Sequence, residues 1–416
     1  MTGPTPAAAP SGSTERDDAR RVSRRAVLGG AAAGLAVGAG GGLAGGRALA
    51  GDGRSGALGA RGVAFRGPHQ AGILEPQQAA VQLAGFDLEP AAGRAGLQKL
   101  LRRWSATAER LTLGEELPED DLVAADAGPC SLTVTFGFGP TLFDKAGLTA
   151  RRPAALTPLP AFPEDALDPA RSDGDLWLQI GADDALVAWH AHRALLRAAA
   201  GLARPRWQMA GFSRTPGATG KPLTVRNLMG QLDGTNNPQP GSAGFDGLVF
   251  ATGPDWLAGG TYLVQRRIRM LLDNWDNLPR ERQERVIGRR KTDGAPLSGG
   301  TEHTPADLAA QRPDGTLAIA PDAHIRLAAP AANGGAAMLR RGFSYADGLR
   351  PDGTPDAGLL FLAFQADPAH GFVPVQQRLA RGDGLSRFLR HEASGLWAVP
   401  PAAPAGGYVG QQLLEG

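Results

Sequence analysis

Two stretches of this chain repeat one loose order of elements, and that repetition limits the fold more than any other feature. In the first, Ala80 to Leu88 reads as a strand. Arg94 to Leu111 reads as an amphipathic helix, because Leu97, Leu100, Leu101, Trp104, Ala108 and Leu111 recur at helical spacing. Leu132 to Phe136 and Leu176 to Ile180 read as strands, and a helix from Asp183 to Ala199 opens on an Asp pair that suits the helix dipole. In the second stretch, Thr261 to Leu272 reads as a strand and Pro279 to Val286 as a short charged helix. Gly358 to Gln365 follows as a very apolar strand, and Leu385 to Glu392 as part of a final helix. Segments 139–174 and 209–259 are rich in Pro and Gly and too long to be simple turns. Long loops on such a scaffold are where a bound group is usually enclosed. The chain therefore reads as α+β with two related halves, and 416 residues are ample for a buried core.

The single cysteine, Cys130, cannot close an internal disulfide, so core packing or a cofactor must hold the fold. The N-terminus carries a separate signal. A polar stretch ends in Ser23-Arg24-Arg25-Ala26-Val27-Leu28, the pattern of a twin-arginine export leader, and Ala48-Leu49-Ala50 offers a cleavage site. The Gly/Ala run between them is too mildly hydrophobic for a convincing membrane span. The expected division is a leader over 1–50, a flexible entry over 51–62, and halves over 63–220 and 221–416. That export route carries proteins folded before they cross, which suits a cofactor-loaded protein and places it extracellularly or in the cell envelope or periplasm. The leader holds six basic and three acidic residues, so the remainder is close to neutral and gives no electrostatic case for binding nucleic acid.

Seven histidines are present, and none forms a zinc-type pair. His190 and His192 fall on different sides of a helix and read as surface or packing residues. His69 sits in a Gly/Pro loop, and His303, His370 and His391 lie in polar loop or helix-end contexts. His324, in Asp322-Ala323-His324-Ile325-Arg326-Leu327, reads from its own residues as a structural histidine beside a strand. Likewise Asp233, between Leu232 and a Gly-rich turn, reads as a turn former.

Taken together, these residues read differently. Arg226-Asn227-Leu228-Met229-Gly230-Gln231-Leu232-Asp233-Gly234-Thr235-Asn236-Asn237-Pro238 resembles the signature of the dye-decolourising peroxidases. So does His324-Ile325-Arg326-Leu327 followed by Leu339-Arg340-Arg341-Gly342-Phe343-Ser344-Tyr345. His69 to Ile73, Gly260 to Val264, Ile287-Gly288-Arg289, Gly294 to Leu297 and Gly358 to Phe361 fit the same family in order. The resemblance implies two ferredoxin-like halves, in a dimeric α/β-barrel-like arrangement of antiparallel sheets enclosing haem b. It makes His324 the axial iron ligand, Asp233 the distal acid and Arg340 the distal arginine, the last preferred to Arg341 by alignment alone. Gly234, Thr235 and Asn236 would lie against the haem, and Phe361 near the distal pocket.

The implied activity is reduction of hydrogen peroxide with oxidation of a bulky aromatic reductant or dye. A positioned carboxylate can move the proton that peroxide must lose and regain, and a guanidinium beside it stabilises the departing charge. The alternative role is haem or iron handling beside a membrane iron-uptake partner, and a homo-oligomer is a further expectation. One departure stands out. Relatives with His-Ile-Arg-Leu often continue Ala-Asn-Pro-Arg, whereas this chain has Ala328-Ala329-Pro330-Ala331, which leaves Arg326 or Arg289 to compensate at the haem edge. Bulky reductants call for a surface aromatic relay, for which Tyr345 is the first candidate among seven Trp and three Tyr.

Overall fold

A computed structural model describes residues 3, 58–163, 165–219 and 223–416. Apart from Gly3, the expected leader lies outside the described residues, as does the entry segment up to residue 57. The described residues from Leu58 onward belong to one compact unit.

Among the described residues there are nine strands: β1 (Ala80–Leu88), β2 (Thr133–Phe138), β3 (Leu176–Ala182), β4 (Ala203–Phe212), β5 (Thr261–Met270), β6 (Leu339–Arg340), β7 (Phe343–Leu349), β8 (Pro355–Gln365) and β9 (Leu389–Val399). The helices are α1 (Gly93–Thr112), α2 (Pro140–Lys145), α3 (Ala185–Ala199), α4 (Phe245–Val249), α5 (Leu272–Asp276), α6 (Arg280–Ile287), α7 (His324–Leu327), α8 (Phe372–Gly382) and α9 (Gln411–Glu415). The strand order is β5-β9-β2-β3-β1-β4-β7-β8-β6, and β5 also pairs with β8, so eight antiparallel strands close into a barrel-like sheet with β6 at its margin.

The closure has two seams. β4–β1–β3–β2 is one continuous set and β9–β5–β8–β7 another, and they meet only through Phe138↔Ala398 and Phe212↔Ser344. Side chains alternate across each strand. Val81, Leu83, Trp177, Trp207, Leu263, Leu360, Leu362 and Trp397 fill the interior as one buried cluster. On the outer face of the first set, α1 and α3 bury Leu97, Leu101, Trp104, Val187 and Leu195. On the outer face of the second lie Ile268, Met270, Leu359, Trp275 and Ile287. That face carries the cavity.

Most expected elements match to within a few residues, with three corrections. β4 occupies the start of the segment read as a loop over 209–259. The stretch read as a final helix over 385–392 is a short 3-10 turn, Gly384–Phe388, running into β9. It alternates around a polar Arg390-His391-Glu392 core that hides the strand period. His324 begins a one-turn helix and does not flank a strand. Among the described residues, no helix is long and apolar enough to cross a membrane.

Candidate active site

The long motif around Asp233 folds back on itself. Residues 226 and 232 form an isolated antiparallel bridge, and the Asp233 amide donates to the Val225 carbonyl at 2.9 Å. Asn227 sits at its centre: its Oδ1 accepts from the amides of Met229 (3.1 Å) and Gln231 (3.4 Å), and its Nδ2 donates to Asp233 Oδ2 at 3.3 Å. Arg226 pins the loop from outside by donating to the carbonyls of Gly230, Lys291 and Thr292. Gly234 has a φ of 121°, open to glycine and strained for other residues, and this turns the chain away immediately after the acid.

Arg340, on β6, meets this loop in two ways. Its Nη1 donates to Asp233 Oδ1 at 3.3 Å. Its backbone exchanges two hydrogen bonds with the Asn237 side chain, which donates to the Arg340 carbonyl at 2.7 Å and accepts from its amide at 3.3 Å. Both charged side chains remain about one quarter exposed, 28% for Arg340 and 27% for Asp233, so the pair is open to a ligand. Arg341 faces elsewhere. It is buried and donates to the Glu75 and Pro76 carbonyls and to Gln78, tying down the start of the unit.

His324 is presented by α7, which packs beside the end of α6. Gly288 ends α6 with φ of 94°, and a Cβ there would lie 2.6 Å from Ile325, so glycine permits this approach. His324 Nδ1 lies 2.7 Å from Asp383 Oδ2, and the other Asp383 oxygen accepts the Leu385 amide at 2.9 Å. Burial works against charge on this imidazole, but the adjacent Asp383 carboxylate outweighs it and raises the pKa above its ordinary value. Nε2 has no hydrogen-bond partner among the described residues, on a side chain that lines the cavity.

The cavity has a volume of about 480 Å³, within the range of roughly 300–1,000 Å³ usual for small-molecule pockets. Asp233, Gly234, Thr235, Asn236, His324, Arg340 and Phe361, all expected from the sequence, line it together. The lining is otherwise largely apolar, with Ile268, Met270, Ile287, Leu359, Phe372 and Leu379 among it. Ala328, Ala329 and Pro330 also face it, so the altered stretch does border the pocket. Arg326 does not compensate there: its guanidinium is spent on the carbonyls of Leu308, Ile319 and Ala320. Arg289 does line the cavity, and burial holds its pKa below the ordinary value, with Glu302 opposing and Arg340 adding to the shift.

Several site residues were not read from the sequence. Asp383 lies in Gly382-Asp383-Gly384, which looks like any turn. Glu302 accepts from the hydroxyls of Thr224 and Thr235 and so fixes the far side of the Asp233 turn. Asn227 and Asn237 stood within the motif, but only geometry separates their positioning roles. Tyr345 is a correction. It is 1% exposed, and the Arg267 guanidinium lies 3.9 Å over its ring, so it is no surface relay. Among the described tryptophans, Trp189 on α3 is the exposed one, at 41%.

An imidazole backed by a carboxylate, with its other nitrogen free in an apolar cavity, suits an axial ligand to haem iron. An open carboxylate–guanidinium pair in the same cavity suits proton handling on peroxide. The comparisons define the class. Residues 70–213 match the N-terminal model of the Dyp-type peroxidases and residues 224–404 the C-terminal one. The chain is 47% identical to the dye-decolorizing peroxidase of Thermobifida fusca over 83% of this chain and 84% of that one. It is 38% identical to the deferrochelatase of Escherichia coli K12, over 84% and 87%. Its fold is similar to that of a DyP-type peroxidase from Streptomyces coelicolor (TM-score 0.85, 59% identity, covering 86% of this chain and 98% of that one). DtpA from Streptomyces lividans, solved as an oxyferrous/water mixed complex, gives TM-score 0.85 and 60% identity over 86% and 99%. The chain belongs to the Dyp-type peroxidase family and is a haem-dependent peroxidase.

Proposed function

We propose that this chain is a haem b peroxidase, exported by the twin-arginine route to the cell envelope, periplasm or exterior, with His324 on the iron and Asp233 and Arg340 handling peroxide. The observation that carries this reading is that one cavity is lined by both the Asp383-backed His324 and the open Asp233–Arg340 pair. Gly234, Thr235, Asn236 and Phe361 would bound the haem, and Arg289, whose Nη1 already donates to the Gly294 and Glu302 carbonyls, has its remaining N–H groups for an anionic edge. Bound haem supplies an iron that passes electrons to peroxide and regains them from a reductant. Asp233 takes a proton from one oxygen of entering hydrogen peroxide and returns it to the other, while Asn227 and Arg340 keep the carboxylate in place. Arg340 stabilises the negative charge that gathers on the departing oxygen.

The strand orders β4-β1-β3-β2 and β9-β5-β8-β7, with α1 and α3 on the first set, support a description as two ferredoxin-like halves. These correspond to 63–220 and 221–416, after a leader over 1–50 and an entry over 51–62. Bulky aromatic compounds or dyes are the reductants that the dye-decolorizing relative suggests. Haem-replete expression followed by absorption spectroscopy tests the proposal. A Soret band, a haem b pyridine spectrum and peroxide-dependent bleaching of an anthraquinone dye are expected, and purified protein without a Soret band would overturn it.

The deferrochelatase relative favours a second reading, release of iron from haem alongside a membrane iron-uptake partner. Metal-free porphyrin fluorescence accumulating without peroxide would support it, and its absence would leave the peroxidase reading alone.

A further inference from the structure

One side chain in the cavity has no part in the mechanism above. We infer that His391 donates a hydrogen bond from Nε2 to a carboxylate oxygen of a molecule bound in the cavity. This rests on the haem reading of that cavity. His391 lies on β9 opposite Ile268 of β5, and its carbonyl accepts the Ala166 amide at 2.9 Å. Its side chain lines the cavity among Ile268, Met270, Phe361 and Leu389, yet the residue is only 5% exposed. Nδ1 is sealed off without a partner, and no protein group meets Nε2 among the described residues. A buried polar group on an apolar floor is costly unless something meets it.

The neighbouring cation decides which nitrogen carries the hydrogen. Arg266 is 1% exposed, lies over the rings of Phe162 (5.1 Å) and Phe372 (5.5 Å), and pairs with Asp165 at 2.6 Å. Its Nε is also buried without a partner. A guanidinium offers donors only, so the tautomer that suits this neighbourhood keeps Nδ1 as the acceptor and the hydrogen on Nε2. Burial, followed by Arg266, holds the His391 pKa down to about 3, so the ring stays a neutral donor across the ordinary pH range. Arg266 is already answered by Asp165, so the neutral Nε2–H of His391 is the group that selects an acceptor such as a carboxylate.

Two further lining side chains from the same run of chain, Gln376 and Ser386, have no hydrogen-bond partner among the described residues. Gln376, Ser386 and His391 thus offer neutral donors in a cavity whose Ala328–Pro330 border lacks polar side chains. The carboxylate has two sources: the acidic side chains of the cofactor, or the acid group of an aromatic substrate.

Holoenzyme carrying His391→Phe or His391→Gln separates them through two readouts other than turnover. The first is the rate of haem transfer to excess apomyoglobin, and the second is the benzoate dissociation constant from Soret difference spectra. A hydrogen bond to a charged acceptor leads us to expect about a tenfold change in one readout for His391→Phe, largely restored in His391→Gln. Faster haem loss assigns the carboxylate to the cofactor, and weaker benzoate binding assigns it to the substrate. If the Phe variant holds haem and both readouts match wild type, the proposal is overturned, as it is if Gln behaves like Phe. Should Phe fail to fold, His391→Leu against His391→Gln gives the same decision. Wild-type protein that takes up no haem would instead contradict the haem reading.

Discussion

His324 and His190 meet aspartates at similar distances, and of the two only His324 keeps a ring nitrogen open to a ligand. His324 Nδ1 lies 2.7 Å from Asp383 and leaves Nε2 without a protein partner in the cavity. His190, on α3, has Nδ1 at 2.9 Å from Asp121 and Nε2 at 3.4 Å from Asp120, and Arg197 closes the set from the far side of Asp121 at 2.7 Å. The three groups Asp120, Asp121 and His190 are close enough to hold an ion, but each ring nitrogen is already answered by a carboxylate. A histidine satisfied on both sides fixes a helix to a loop, whereas one held on a single side and facing a cavity keeps a nitrogen that is oriented for a ligand. The same contrast separates Arg341, consumed by three acceptors, from Arg340, left open beside Asp233.

Substitutions can sharpen or break that contrast. The largest effect should come from the open pair: Asp233→Ala or Arg340→Leu should slow the stopped-flow reaction of the ferric protein with peroxide by roughly 10²–10³-fold while leaving the resting haem spectrum in place. The double variant should lose far less than the product of the two, because the residues act as a unit. Next, Asp383→Asn should weaken haem affinity or activity by about 10–100-fold, whereas Asp121→Asn should leave both untouched. Equal effects from the two would erase the distinction drawn here.

On the closed side the expected effects concern stability. His190→Gln should cost about 1 kcal/mol in calorimetric unfolding, since it removes the ring that meets both Asp120 and Asp121 while Arg197 still holds Asp121, with peroxide reactivity unchanged. The smallest effect is a pH dependence. Arg197, then His190, holds the Asp121 carboxyl well below the usual carboxylate range. Its contribution is therefore present above the unfolded value of about 3.9 and fades as pH falls through the lower folded value. The gap in melting temperature between wild type and Asp121→Asn should close on acidification. A gap that widens would reverse the sign of the argument.

The sequence made much of this legible, and the remainder has physical reasons for being hidden. Strands and helices with clean periods, such as Ala80–Leu88 and Gly93–Thr112, could be placed almost to the residue. β9 could not, because Arg390, His391 and Glu392 interrupt its apolar alternation, and Glu392 meets Arg267 and Arg269 only once β5 and β9 are paired. Asp233, Arg340 and His324 were visible because they lie in long motifs. Asp383 was not, because its meaning lies 59 residues away in His324 and nothing local marks it. Tyr345 failed as a relay for the converse reason: proximity to Arg340 in sequence placed it in the barrel interior, under Arg267. Of the Ala328–Ala331 departure, Ala328 to Pro330 border the cavity and Ala331 does not, and of the two proposed substitutes only Arg289 reaches it.

The central claim is that His324, oriented by Asp383, is the iron ligand. Its most direct test is the absorption spectrum of haem-reconstituted His324→Ala beside wild type, before and after added imidazole. The account predicts loss of the histidine-ligated spectrum in the variant and its partial return with imidazole. A variant whose spectrum is unchanged from wild type would contradict it.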